Sequence, residues 1–161
     1  VGGDRVDVYC THLSHGFHQS ALRSRQLNQI ATIIAERRTD DGYPPILLGD
    51  LNALPESDEI RSLTGLASPP VDGLVFSDAW AQVGAGDGVT YAASNPHVID
   101  SAWPDRRLDY VLVGWPRPRP CGNPVAAQLF GDEPLDGVVA SDHYGVAVDL
   151  VAPGAERSTR T

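Results

Sequence analysis

The amino-acid sequence predicts an α/β protein in which helices cover a β-sheet. Residues 5–12 show an alternation of side chains that is typical of a strand. Apolar residues recur at helical spacing between residues 20 and 38, and residues 45–49 form a continuous apolar run that suits a buried strand. A strand, a helix and a second strand, followed by further strands, indicate a sheet layered by helices.

The first strand is predicted from its period of two. Val6, Val8, Cys10 and His12 share one side of the segment, and the residues between them share the other. This pattern predicts that Cys10 is a buried thiol. The second cysteine, Cys121, lies far away in the sequence, so neither a disulfide framework nor a zinc site is expected.

Two helices are expected in the first half of the chain. The longer one is predicted from about Ser20 to Arg38, and the segment Asp40-Asp41-Gly42 ends it. A shorter helix is predicted from Ser57, a good N-cap residue, to Leu63, with Gly65 just beyond its end.

The rest of the chain combines long loops with short strands. Residues 66–76 and 84–107 are rich in Gly, Pro, Ser and Asp, and loops of that length in a compact domain are usually functional. A short element carrying Trp80 is expected between the two loops. Further strands are predicted at residues 108–113, 125–130 and 146–151, and a polar tail at 153–161.

Composition indicates one globular domain that does not favour polyanionic partners. The chain has 161 residues, of which 42% are hydrophobic and 20% charged. No apolar run approaches the roughly 18 residues that a membrane span needs. The net charge is −9, with 21 acidic and 12 basic residues, so long-range attraction of duplex DNA is unfavourable. Because the chain contains no Met and opens at Val1, we expect that it begins inside a longer protein.

Four short segments place acid, amide or imidazole side chains where strand-like runs end. They are Thr11-His12-Leu13, Gly49-Asp50-Leu51-Asn52-Ala53, Arg107-Leu108-Asp109-Tyr110 and Ser141-Asp142-His143-Tyr144-Gly145. Each segment alone has an ordinary structural explanation, such as a turn after a strand. Together they supply what phosphoester hydrolysis requires: carboxylates that hold a hard cation or aim a water, and imidazoles that transfer protons.

In order and spacing, these four segments resemble the second half of the endonuclease/exonuclease/phosphatase superfamily, the DNase I-like metal-dependent phosphoesterases. The resemblance implies half of a four-layer α/β/β/α sandwich, with one mixed, largely antiparallel sheet and helices on its outer face. Residues 1–152 would be the C-terminal half of the domain. The family's first half carries an Asn and a metal-binding Glu for which this chain has no corresponding segment.

The resemblance also implies roles for individual residues. The catalytic set is His12, Asp50, Asn52, Asp109 and His143. His12 would contact the scissile phosphate, Asp50 would position the attacking water, and Asn52 would stabilise the phosphoryl group. Asp109 would pair with His143, the essential imidazole. The expected metal is Mg²⁺, with Mn²⁺ as a possible substitute, and its ligands would come from Asp50, Asn52 and Asp142.

Several alternatives remain open at this stage. His15, Asn95 and Trp103 are candidates for substrate contacts, although ordinary loop packing would explain them equally well. His12, His15 and His18 lie three residues apart, but Gly16 argues against a helix that would align them as a metal site. The substrate could be a nucleic acid, a lipid head group or a phosphorylated small molecule, and the last two are favoured over duplex DNA. A catalytically silent half-domain that needs a partner segment, the N-terminal half of the same domain, is the competing interpretation.

Overall fold

The computed structural model describes residues 5–39, 42–98, 103–115, 117 and 120–152. Within these residues the strands are β1 (Val8–Cys10), β2 (Ile46–Asp50), β3 (Val75–Asp78), β4 (Asp109–Trp115), β5 (Pro124–Phe130) and β6 (Gly145–Leu150). The helices are α1 (Ser20–Arg37), α2 (Asp58–Leu63) and α3 (Ala79–Val83). No helix in the described part of the chain combines the length and the apolar character that crossing a bilayer requires.

The α/β class is confirmed, and four of the strands form the expected mixed sheet. Their order is β1-β2-β4-β3; β1 runs parallel to β2, whereas β2 and β3 each pair antiparallel with β4. The expectation of a single sheet is wrong for the described residues, because β5 and β6 pair only with each other in a second sheet. Prolines 116, 118 and 120 lie between β4 and β5, and proline cannot donate to a strand ladder.

One face of the four-stranded sheet forms the main core. Leu47, Tyr110 and Leu112 point to this face and pack with Leu27 and Ile34 of α1. All five side chains are at most 2% exposed. The helical spacing seen in the sequence therefore describes the face of α1 that covers the sheet.

The opposite face of the sheet is only partly covered. The register of β1 with β2 places Val8 and Cys10 on this face beside Ile46 and Leu48. Val8 is 54% exposed, and Cys10 is also exposed, so the prediction of a buried Cys10 thiol is wrong. Period two identified the strand but could not say which of its two faces is covered, and here the partly buried Tyr9 packs against the core.

The expected element limits need small corrections. The first strand is three residues long instead of eight, and α1 ends at Arg37. The element that carries Trp80 is the end of β3 followed directly by α3. Asp40, Asp41 and the proposed tail at 153–161 lie outside the described residues.

Candidate active site

The register between β2 and β4 creates the centre of the site. Asp50 is the last residue of β2, Asp109 is the first residue of β4, and the two lie directly opposite each other in the antiparallel pair. Directly opposite residues in such a pair project to the same face of a sheet. Both carboxylates therefore lie at one strand end, on the face that the main core does not use.

Gly49 allows the strands to approach closely at this point. Its φ is +128°, and a Cβ atom placed there would overlap the carbonyl of Thr11. The positive φ and the overlap with Thr11 each exclude a side chain, so glycine is required here. The close approach brings the segment after β1 alongside Asp50, where the Leu13 amide donates to the Asp50 carbonyl at 2.9 Å.

A network of hydrogen bonds fixes the Asp50 carboxylate. Its Oδ1 accepts from the backbone N–H of Asn52 at 2.8 Å, and its Oδ2 accepts from Asn52 Nδ2 at 3.0 Å. Asn52 adopts the left-handed conformation, with φ of 47°, which asparagine tolerates better than most residues. His12 Nε2 lies 3.2 Å from Asp50 Oδ2, and the His12 side chain is 71% exposed.

The Asn52 amide is already engaged within the protein. Besides its bond to Asp50, Nδ2 donates to the Leu13 carbonyl at 3.0 Å. An amide NH₂ group has two hydrogens, so neither remains for a phosphoryl oxygen in this arrangement. Only Oδ1 remains, and a carbonyl oxygen is a suitable ligand for a hard cation.

His143 and Asp109 form a second pair across the site. His143 Nδ1 lies 2.7 Å from Asp109 Oδ2. Because an ionised carboxylate can only accept, Nδ1 carries the hydrogen of this bond and Nε2 stays available to the pocket. The Tyr91 ring meets the imidazole edge-on, with 5.2 Å between ring centroids.

Burial, hydrogen bonds and neighbouring charges shift the pKa values of two of these groups, His143 and Asp50. The hydrogen bond with Asp109 raises the pKa of His143 above its ordinary value and outweighs the opposing effect of burial. Burial raises the pKa of Asp50, the Asn52 backbone N–H opposes this shift, and the charge of Asp109 adds to it. Carboxylates so close together repel each other when both are ionised, and a bound cation relieves that repulsion.

Sequence reasoning did not identify Thr90, which connects the segment that carries Asp109 to the segment that carries His143. Its side chain is fully buried, and Oγ1 accepts from the backbone amides of Leu108 and Asp109 at 3.0 and 3.2 Å. The Thr90 carbonyl accepts from the Tyr144 amide at 2.7 Å, next to His143. No periodic pattern marks residues in this loop, so only the loop's length indicated a functional role.

Asp50, Asp109 and His143 form a cluster of three side chains that could hold a metal ion. One ligand atom from each lies within 4.8 Å of the others. Asp142 was expected to be a metal ligand, but it is not part of this cluster. Its carboxylate is exposed at the pocket edge and accepts from Ser141 Oγ at 3.3 Å. Asp142 lines the same pocket as this cluster, and its role as a metal ligand stays a prediction.

The three candidate substrate-contacting residues have different environments. His15 and Trp103 line a pocket of about 470 Å³ together with the catalytic set. Asn95 does not line this pocket: it is fully buried, and its Nδ2 donates to the Ser141 carbonyl at 2.9 Å. Asn95 therefore positions the loop that carries His143 and is not placed to contact substrate.

Comparison with known proteins gives a family match and a set of similar folds. The sequence profile described as Endonuclease/Exonuclease/phosphatase family matches residues 1–143 of the chain. No curated protein sequence matches the chain. Among solved structures, D. rerio TDP2 complexed with single strand DNA product is 23% identical, with a TM-score of 0.70, and the match covers 91% of this chain and 56% of TDP2.

Two bacterial structures also have a fold similar to that of this chain. The mannosyl-6-phosphatase Bt3783 of Bacteroides thetaiotaomicron is 18% identical with a TM-score of 0.65, covering 92% of this chain and 52% of that protein. An endonuclease/exonuclease/phosphatase from Bacteroides vulgatus is 19% identical with a TM-score of 0.62, covering 88% and 47%. At these identities the likeness concerns the fold alone. The chain spans about half the length of each of the three.

Proposed function

This chain belongs to the endonuclease/exonuclease/phosphatase family, and on that premise we propose that it carries the catalytic motifs of a Mg²⁺-dependent phosphoester hydrolase. The observation that carries the proposal is the convergence of Asp50, Asp109 and His143 within 4.8 Å at one strand end. Two carboxylates and an imidazole at this distance match the combination of cation binding and proton transfer that the reaction needs.

The carboxylates of Asp50 and Asp109 are the groups that would hold Mg²⁺, or Mn²⁺ in its place. Their oxygens, with Asn52 Oδ1 beside them, are the hard ligands that such cations prefer, and water completes the coordination. The cation would supply charge neutralisation at the phosphoryl oxygens and a more acidic bound water. Asp142 also lines the pocket but is outside this cluster, so it would act on the cation through bound water.

The two histidines have separate roles in this proposal. His143 gives its Nδ1 hydrogen to Asp109, which fixes the tautomer and leaves Nε2 to take or return a proton. His12 is exposed to the pocket beside Asp50 and is suited to donating to a phosphoryl oxygen. Asn52 acts by holding Asp50 in place from two directions.

We propose a compact phosphoester, a small molecule or a lipid head group, as the substrate in preference to duplex DNA. The pocket carries three carboxylates, and the whole chain has a net charge of −9. Both features oppose the approach of a long polyanion. The similar structures do not decide the matter, because one is a complex with single strand DNA product and another is a mannosyl-6-phosphatase.

We also propose that a segment preceding this chain, the N-terminal half of the same domain, completes the enzyme. The chain covers only 47–56% of three similar structures, and one face of its sheet is partly open on the side where Asp50 and Asp109 lie. We call the protein that contains both halves the parent protein.

Metal dependence tests this proposal directly. The parent protein should hydrolyse bis-p-nitrophenyl phosphate in Mg²⁺ or Mn²⁺, lose activity in excess chelator and regain it when the metal is restored. Asp50→Asn should raise the metal concentration needed for half-maximal rate, because it removes one anionic ligand. Asp87→Asn, which changes charge equally at an exposed loop position, should leave that concentration unchanged. Full activity in chelator would exclude the proposal.

A further inference from the structure

Arg106 is the one arginine that lines the catalytic pocket in the described part of the chain. Its Nε and Nη2 atoms are buried and have no hydrogen-bond partner. Burial of this kind also lowers the pKa of the guanidinium below its ordinary value. Buried donors without acceptors cost free energy, so an unused guanidinium beside a pocket indicates a missing anionic ligand.

Arg23 and Arg107, the two arginines that are buried as whole residues in the described part of the chain, differ from Arg106 in this respect. Arg23 donates to Glu59 at 2.9 Å, and Arg107 donates to Asp78 at 2.7 Å. Both arginines are therefore neutralised inside the protein. Arg106 forms no ion pair with a described carboxylate, although three acids line the same pocket.

Two aromatic rings hold the guanidinium in place without using its donors. The Arg106 guanidinium carbon lies 4.6 Å from the Phe17 ring centroid and 4.4 Å from that of Trp103. The two rings also stack on each other, with 4.6 Å between centroids. Cation–π contacts do not use the N–H groups of a guanidinium, so Nε and Nη2 still lack an acceptor, while the Arg106 side chain lines the pocket.

Arg106 is also fixed at a defined place relative to the catalytic imidazole. Its backbone pairs with that of Tyr91 through two hydrogen bonds of 2.9 Å, an isolated antiparallel bridge. Opposed residues in such a bridge send their side chains to the same side. Tyr91 in turn contacts His143 edge-on, so Tyr91 links the Arg106 segment to the reacting centre.

We propose that Arg106 is a specificity-determining residue that binds a second phosphate of the substrate, next to the phosphoester that is hydrolysed. This inference rests on the proposed function. A guanidinium offers a planar fork of donors that matches phosphate oxygens. The scissile phosphate belongs beside Asp50 and His143, whereas Arg106 lines the same pocket from the segment that pairs with Tyr91. The substrate class is therefore a compact molecule with two phosphates, either a nucleoside bisphosphate or a sugar bisphosphate.

Equilibrium binding to the parent protein tests this without requiring turnover. Calorimetry in Mg²⁺ would compare thymidine 3′,5′-bisphosphate with thymidine 5′-phosphate, and fructose 1,6-bisphosphate with fructose 6-phosphate. We expect the bisphosphate to bind at least about 10-fold more tightly in one pair or both, as a charge-assisted hydrogen bond would give. The pair with the larger ratio identifies the nucleoside or the sugar as the source of the second phosphate.

Charge-matched variants assign the effect to Arg106. Arg106→Gln should reduce the bisphosphate preference to near one, whereas Arg25→Gln, at an exposed position on α1, should retain it. Arg106→Lys keeps the charge but loses the planar fork of donors, so it should retain only part of the preference for the bisphosphate. This variant replaces Arg106→Gln in the experiment if Arg106→Gln does not fold. No preference in the wild type, or an unchanged preference in the Arg106 variants, would overturn the inference. Neither result would bear on metal-dependent hydrolysis, which is tested separately.

Discussion

At the residue scale, the contact between His143 and Asp109 determines how the site responds to pH. The bond of 2.7 Å favours the protonated imidazole and raises the pKa of His143. If neutral His143 acts as the base, activity must increase as pH rises through that raised pKa. The acidic limb of the kcat/KM profile therefore reports the pKa of His143, which lies above the ordinary histidine value of about 6.5 when no cation occupies the site.

Asp109→Asn should move this limb to lower pH, because it removes the negative charge that stabilises the imidazolium. It should also lower kcat by roughly 10²–10⁴-fold, since an amide can hold the imidazole in the wrong tautomer. A pH–rate series on the parent protein and the variant measures both effects. A limb at the same pH in both proteins would mean that His143 is not the group that titrates.

Most of the site residues could be predicted from sequence because they lie in short segments at strand ends. Asp50 ends β2, Asp109 begins β4 and His143 lies just before β6; the sheet register brings the two carboxylates together, and His143 joins them through its contact with Asp109. Thr90 and Arg106 could not be predicted, because they lie in an irregular loop whose path depends on tertiary hydrogen bonds. The same limit applied to Asn95, whose buried position no local pattern indicates.

At the element scale, a buried ion pair joins α1 to α2. Arg23 and Glu59 side chains are 6% and 1% exposed, and Arg23 also donates to the Gly16 carbonyl at 2.8 Å. Glu59→Gln would leave the Arg23 charge buried without its partner. We expect the free energy of unfolding to fall by about 3–5 kcal/mol.

A surface pair on the same helix provides the control. Asp58 and Arg61 lie 3.3 Å apart and are well exposed, so Asp58→Asn should cost less than about 1 kcal/mol. Urea unfolding of the parent protein would compare the two variants. Equal losses would show that the buried pair does not stabilise the contact between the helices.

The elements themselves were predictable to different degrees. The helix α1 has a continuous apolar stripe, and its expected range agrees with the observed Ser20–Arg37 to within one residue. The strand β1 was overestimated because alternation continues beyond the three residues that pair with β2. The separation of β5 and β6 into their own sheet depends on tertiary pairing, which strand patterns do not encode.

At the scale of the whole molecule, charge limits the range of partners. With a net charge of −9 and no lysine, the chain should bind duplex DNA weakly. Affinity measured between 50 and 200 mM salt should change by less than about 10-fold, whereas a protein with 6–10 phosphate contacts loses roughly 10³–10⁵. A steep salt dependence would reveal a local basic surface that outweighs the overall charge.

Exposed apolar side chains on the open face of the four-stranded sheet and on β5 determine how the isolated chain should behave. Val8, Val125 and Phe130 are each more than half exposed, and Cys10 is exposed beside Val8. Roughly several hundred Å² of exposed apolar surface tends to recruit a partner or to aggregate. We expect the 161-residue chain alone to be aggregation-prone, to bind Mg²⁺ poorly and to be inactive. Size-exclusion chromatography with a phosphodiesterase assay checks this, and a soluble monomer with metal-dependent turnover would contradict it.

The most direct test of the central claim is the rate of bis-p-nitrophenyl phosphate hydrolysis by the parent protein with His143→Ala, at saturating Mg²⁺. The claim is that Asp50, Asp109 and His143 together perform phosphoester hydrolysis. It predicts a rate roughly 10²–10⁴-fold below that of the wild type, as expected for a positioned acid–base group. His18→Ala, at an exposed position outside the pocket lining, should keep the wild-type rate. Near-normal turnover in His143→Ala would contradict the claim.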